Sequence, residues 1–315
     1  MTSIELIAIA AVTASILGIA GLALFTALTA RRARVLAPPL GRFIEVEGSR
    51  LHYLDRGAGP VVVLVHGLGG NLRNFYGLAD QLARTCRVIT VDRPGCGYST
   101  VISGEHPTLI VQATILVRFL GRLGLDRPLL VGHSLGGALC LALALDHPQS
   151  VQGLVLISTL SQVERAAPPL FRALDIHSPA LRWLLAWTLM VPLGKLAHWT
   201  TLRALFAPEP VPSRFDVESG GALGLRPWSL IAASKDMVMV ADALAVMTPR
   251  YPSLTIPVEV IFGRQDPILD YRAHGERLVA ALPNATLHLI EGGHMIPVTA
   301  SDQIATLVQQ AAEHA

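Results

Sequence analysis

Glycine crowds one serine. In RPLLVGHSLGGALCLALA, Arg127 to Ala144, Ser134 has Gly132 two residues before it and Gly136 and Gly137 behind it. Glycine is costly inside regular structure, so its place on both sides of a serine marks a tight corner. Gly-x-Ser-x-Gly between an apolar strand and a helix is the pattern of a nucleophile elbow. Such a turn exposes the serine Oγ while the glycines let strand and helix approach. A serine becomes a nucleophile only beside a general base, and the base needs an orienting carboxylate. The chain order for such an elbow is serine, acid, histidine. VIFGRQDPILD supplies Asp266, three residues past Gly263, and LIEGGHMIPV supplies His294. Asp270 lies close enough to Asp266 to be the alternative orienting group.

Acyl transfer also needs N–H donors where negative charge develops on the attacked oxygen. VHGLGG, Val65 to Gly70, has the glycines to turn its amides toward the elbow. Leu68 and Leu135 are the expected oxyanion donors, the second at the positive end of the helix behind Ser134. The other candidate groups read as structural. His66 and His133 belong to glycine motifs and shape the loop or pocket, His147 falls at a helix end, and His288 lies within a strand. Cys96, in a Gly-Cys-Gly loop, has no base beside it in sequence and reads as packing rather than as a reactive thiol. Cys86, Cys96 and Cys140 form no CxxC pair, which argues against a disulfide framework or a zinc site. No metal or organic cofactor is implied.

These residues need a scaffold that gathers loops at one end. PVVVLVHG, CRVITVDRPG, RPLLVG, VQGLVLIS and PVEVIFG are apolar runs without alternation, each ending in a loop, as strands buried on both faces would be. Helical segments are expected between them at about 74–84 and 108–123. RFIEVEGSRLHYLDRG reads as a hairpin turning at Glu47-Gly48-Ser49, ATLHLIEG as the last strand, and Ser301 as the cap of a closing helix to about Ala312. Strand and helix in alternation predict a mostly parallel α/β sheet with its loops, and any ligand, at the carboxyl ends of the strands. From about Ser161 to Met247 the alternation stops. This section holds all four tryptophans, Trp183, Trp187, Trp199 and Trp228, with Trp183 and Trp187 on one helix face. It reads as a helical cap whose apolar face either walls an acyl pocket or touches lipid.

Half of the residues are hydrophobic, and the N-terminus accounts for much of that. Leu6 to Ala30 carries no charge and as a helix would reach about 37 Å, enough to cross a bilayer. RRAR follows directly, and no basic residue precedes the run, which favours an uncleaved single-pass anchor over a signal peptide. The basic flank puts the folded part on the cytoplasmic side. The formal net charge of +2 over 315 residues implies no polyanionic partner, so nucleic acid is not expected. The expected division is an anchor over 1–34, core over 41–160, cap over 161–247 and core again over 248–315.

Taken together, DRPGCGYS, GHSLGG, GRQD, GGH and His66-Gly67 with its loop resemble the α/β-hydrolase superfamily from about Phe43 to Ala312, the cap matching in position only. The resemblance implies an α/β-hydrolase fold, a mostly parallel central sheet flanked by helices with a helical cap insertion, to which the N-terminal transmembrane helix is added. Within the superfamily the chain is similar to membrane-anchored serine esterases and monoacylglycerol-lipase-like enzymes. It departs from epoxide hydrolases and haloalkane dehalogenases, which carry aspartate at the elbow. A small-molecule ester, preferably a lipid ester, is the expected substrate. C–C bond hydrolases and perhydrolases share the same triad, and a ligand-binding homologue without turnover is a further alternative.

Overall fold

Nine strands form one sheet in the computed structural model, which describes residues 2–164 and 167–314. Residues 1, 165, 166 and 315, which fall within the expected anchor, cap and second core segments, lie outside the described residues. The strands are β1 (Arg42–Val46), β2 (Ser49–Arg56), β3 (Val61–Val65), β4 (Arg87–Val91), β5 (Thr100–Val101), β6 (Leu129–His133), β7 (Gly153–Ile157), β8 (Val258–Gly263) and β9 (Ala285–Ile290). Their spatial order is β1-β2-β4-β3-β6-β7-β8-β9, with β5 paired to β2. β1 and β2 form the expected hairpin, antiparallel, with positive φ at both Glu47 (45°) and Gly48 (71°), as a tight two-residue turn requires. From β4 to β9 every pairing is parallel.

The apolar runs lack alternation because both faces of the sheet are covered. Val62 and Leu64 of β3 point to one face, under Phe75, Leu78, Leu82, Ile304 and Val308. Val63 and Val65 point to the other, under Ala113, Leu116, Phe119 and Leu139. The first face is covered by α2 (Tyr76–Leu82), and the second by α3 (Leu109–Arg122) and α4 (Leu135–Asp146). The segment expected to be helical from residue 74 opens as a 3₁₀ turn, Leu72–Phe75, before α2.

Between β7 and β8 the chain leaves the sheet and forms α5 (Pro179–Trp187), α6 (Met190–Phe206), the short α7 (Phe215–Glu218) and α8 (Pro227–Met247). Among the described residues of this insertion there is no strand. The Trp183 and Trp187 rings lie 6.1 Å apart, and Trp228 packs edge-on to Trp187 at 5.7 Å. After β8 come α9 (Arg277–Ala281), α10 (Ile296–Thr299) and α11 (Ser301–His314), the last joining α2 on the first face. Ser301 differs from expectation. It is the first helical residue rather than the cap; the Ala300 carbonyl starts the helix, and the Ser301 hydroxyl accepts from Gln81 Nε2 at 3.1 Å.

The N-terminal run is one helix, α1 (Ser3–Leu36), long and apolar enough to cross a membrane. Thr2 and Glu5 close its first turn reciprocally, a capping box. Its far end is not free. Thr26, Ala30 and Ala33 are buried, small residues that let α1 lie against α5, α6 and the turn at Gly221–Leu225. The linker behind it is gripped by the core. Tyr98 donates to the Ala37 carbonyl and Arg73 to that of Pro38, each at 2.6 Å, and the His52 ring bridges the Leu40 carbonyl and the Asp92 carboxylate.

Candidate active site

Strand β6 ends at His133, α4 begins at Leu135, and Ser134 is the whole turn between them. Its φ of 53° and ψ of −120° lie where a side chain is strained, so the surroundings must hold it there. The Ser134 amide donates to the Ile157 carbonyl at 2.9 Å, tying the turn to β7. The flanking glycines are required by contact. A Cβ on Gly132 would sit 2.6 Å from the Gly136 carbonyl oxygen, one on Gly136 would overlap the Val65 carbonyl, and one on Gly137 would overlap the Thr159 hydroxyl.

The structure brings His294 and Asp266 to the same end of the sheet. His294 Nδ1 lies 2.8 Å from Asp266 Oδ2, and both groups are buried. The other carboxylate oxygen accepts from the amides of Ile268 (2.8 Å) and Leu269 (3.0 Å), so the acid is fixed from three directions. Burial by itself would raise the Asp266 pKa. The His294 ring and the two amides outweigh it and hold the carboxyl below its ordinary value. Asp270, the alternative, instead accepts from the Arg272 amide at 2.7 Å and makes no contact of this kind with His294.

Ser134 lies in the walls of two cavities, together with Leu68 and Phe171. The larger, about 450 Å³, is also lined by His294, His133 and a row of apolar residues on α6, among them Leu193, Ala197 and Leu202. The smaller, about 270 Å³, runs under α8 past Val240, Leu244 and Leu269, and Leu135 belongs to its wall. The Leu135 amide opens α4 and so has no acceptor within the helix.

Two histidines that the sequence assigns to loop shaping turn out to organise the site's backbone. Burial, then the neighbouring His294, lowers the His133 pKa to about 3. The ring is therefore neutral, and Nε2 lies 3.0 Å from the His294 carbonyl oxygen, an acceptor, to which it donates. Burial, then Arg93, lowers His66 to about 4. Its Nε2 accepts the Arg93 amide at 3.0 Å, so Nδ1 carries the proton and donates to the Gly67 carbonyl at 2.9 Å. His147 caps the end of α4, and His288 lies in β9 against Glu259. Cys96 is buried, its thiol pushed up to about 12 by burial, which is the packing role.

One buried ion pair had no sequence signal beyond Asp236 itself, which stands beside Lys235 in the mostly apolar SLIAASKDMVMV. Arg93 donates from Nε to the His66 carbonyl and from Nη2 to that of Gly67, while Nη1 meets Asp236 of α8 at 2.9 Å. Gln112 and His106 share that carboxylate. Burial alone would raise the Asp236 pKa, but Arg93 and His106 draw it down to about 2. The pair locks the glycine loop under Leu68 to a cap helix.

Residues 60–189 match the family described as alpha/beta hydrolase fold. A hydrolase of Paraburkholderia phymatum, named for 2-hydroxy-6-oxononadienedioate and 2-hydroxy-6-oxononatrienedioate, is 30% identical over 254 residues, 76% of this chain and 82% of that one. An uncharacterised protein of Mycobacterium tuberculosis is 29% identical over 286 residues, 85% of this chain and 79% of its own. Among solved structures, a membrane phospholipase A described as a bacterial virulence factor aligns over 99% of this chain and 98% of its own, at a TM-score of 0.69 and 24% identity. An esterase of Thermogutta terrifontis aligns over 87% and 99%, at 0.72 and 21%. The chain belongs to the α/β-hydrolase family.

Proposed function

We propose that the chain is a membrane-anchored serine hydrolase that cleaves carboxylic esters of apolar acyl groups through an acyl-enzyme. The observation that carries this is that the strained Ser134 and His294, the latter bonded to Asp266 through Nδ1, line one largely apolar cavity. Ser134 Oγ attacks the ester carbonyl carbon while His294 takes its proton. Asp266 keeps the ring oriented and supports its positive charge. The Leu68 and Leu135 amides take the oxyanion. His294 then protonates the departing alcohol, and a water activated by the same ring releases the acid.

A C–C hydrolase reading is favoured by the Paraburkholderia relative, whose substrates are named as dioates. The lining argues for the ester. Among the described residues in the walls of both cavities there is no Lys or Arg, whereas Glu164, Asp175 and Asp236 border the smaller one. A dianion would be left unpaired there, at a large desolvation cost. A neutral, apolar ester has no such cost, and the likeness in fold to a membrane phospholipase A accords with a lipid class. The anchor α1 brings the site to the bilayer, and Arg31, Arg32 and Arg34 at its end favour the cytoplasmic side.

The test is a series of p-nitrophenyl esters of rising chain length, run on wild type and Ser134→Ala with a fluorophosphonate probe in parallel. Wild type should label and prefer acyl chains beyond about four carbons. Ser134→Ala should lose labelling and fall by roughly 10⁴- to 10⁶-fold in kcat with folding kept. Full activity in Ser134→Ala would sink the assignment. Activity confined to the shortest esters would remove the lipid class alone.

A further inference from the structure

The second glycine before His294 answers to the cap and not to the core. Gly292 has φ +134°, a conformation closed to side chains. At Gly293 the requirement is one of space: an added Cβ would overlap the Ala207 carbonyl and lie 3.2 Å from Glu209 Oε2. Ala207 and Glu209 directly follow α6. Glu209 Oε2 accepts the Gly293 N–H at 3.1 Å, and the Glu209 amide donates to the Phe206 carbonyl at 2.9 Å, which turns the chain toward the histidine loop. On the other side of His294, Met295 is buried with Leu202, Phe206 and Phe215 in a small cluster separate from both faces of the sheet. Residues immediately before and after His294 are thus both held by the C-terminal end of one cap helix.

We propose that Glu209 is a positioning residue for His294, through which α6 sets where the catalytic base stands; this rests on the ester-hydrolase reading above. Asp266 fixes the ring at Nδ1, and His133 fixes the His294 carbonyl, both from the core side. Neither holds the Gly292-Gly293 backbone against rotation toward the cap. Gln265 takes the Gly292 amide at 2.9 Å, and Glu209 takes that of Gly293 with a carboxylate, the stronger kind of acceptor. α6 also lines the larger cavity and touches α1, so an acyl chain lying along α6 bears on the helix whose C-terminal turn leads into Glu209.

Glu209→Ala and Glu209→Gln are compared in the full chain in nanodiscs, with p-nitrophenyl butyrate as substrate and the fluorophosphonate labelling rate as second readout. That rate is independent of the folded fraction. Glu209→Ala is expected to lower kcat and the labelling rate by about 10- to 100-fold, the scale of a displacement approaching 1 Å, with KM changed less than about twofold. Glu209→Gln keeps an oxygen for the Gly293 amide and should stay within about threefold of wild type. Wild-type kcat and labelling in Glu209→Ala would overturn the proposal, as would a Gln variant as slow as the Ala variant, or a change confined to KM. Ser134→Ala separates the two readings: if it still labels, the hydrolase mechanism fails whatever Glu209 does.

Discussion

His66 and His133 each brace backbone at the candidate site, and their worth there lies in being neutral. His133 donates to the carbonyl of His294 and His66 to that of Gly67, so each ring supports one wall of the site. Both are folded with pKa values well under the ordinary 6.5, about 3 and about 4. The unfolded chain therefore binds more protons between those values and 6.5, and stability must fall as pH drops through that window. Melting temperature should decline from about pH 6.5 to about pH 4, and His133→Gln should remove about one proton from the slope while keeping a donor for the His294 carbonyl. A flat profile over that range would show that the rings are not held neutral. The Asp236 carboxyl acts lower: its folded pKa near 2 means that its contribution, full above about 4, is lost as pH falls toward 2.

At the scale of elements, the site is a meeting of loops from β3, β6, β8 and β9 with the two long cap helices α6 and α8. The elbow and its glycines were legible because a Cβ has nowhere to go: steric need leaves a mark in residue type. The parallel sheet was legible because strands covered on both faces run continuously apolar. The ties between cap and core left no such mark. Asp236 and Glu209 sit far in sequence from Arg93 and Gly293, and nothing in local pattern says that a carboxylate 143 residues away will neutralise Arg93. The Arg93–Asp236 pair is deeply buried. Asp236→Ala should therefore destabilise the protein by about 3–5 kcal/mol in a denaturant titration, because it leaves a buried guanidinium unpaired. A loss under about 1 kcal/mol would mean that water reaches Arg93 and that the cap is loosely seated.

For the whole molecule the question is how the cap would stand to a bilayer that α1 is long and apolar enough to cross. α1 leaves its buried end against α5 and α6, and the cap beside it exposes Trp183, Trp199 and Trp228, each more than half exposed, with Leu189 at the entry to α6 and Leu193 and Leu196 along it. Aromatic rings at such a surface suit the membrane–water interface. All four tryptophans belong to the cap, so tryptophan fluorescence, excited selectively over the five tyrosines, reports on it alone. In nanodiscs of dibrominated phosphatidylcholine the emission should be quenched by about half or more relative to unbrominated lipid, if interfacial rings lie at the headgroup boundary as expected. Unquenched emission from protein that has entered the nanodiscs would mean that α1 inserts while the cap stands clear.

The amino-acid sequence by itself determined the sheet, the helix that can cross a membrane, the elbow at Ser134, and the order in which Asp266 and His294 follow it. Each of these depends on local periodicity, on glycine where backbone must pass backbone, or on the length of an apolar run. The tertiary structure decided which carboxylate faces His294, Asp266 and not Asp270, since four residues of one loop differ only in which way it turns. It also decided that α6 and α8 each close on a different part of the site, through Glu209 and Asp236. Those are contacts between distant segments, fixed by burial and by the pairing of charge that burial enforces, and no local pattern encodes them.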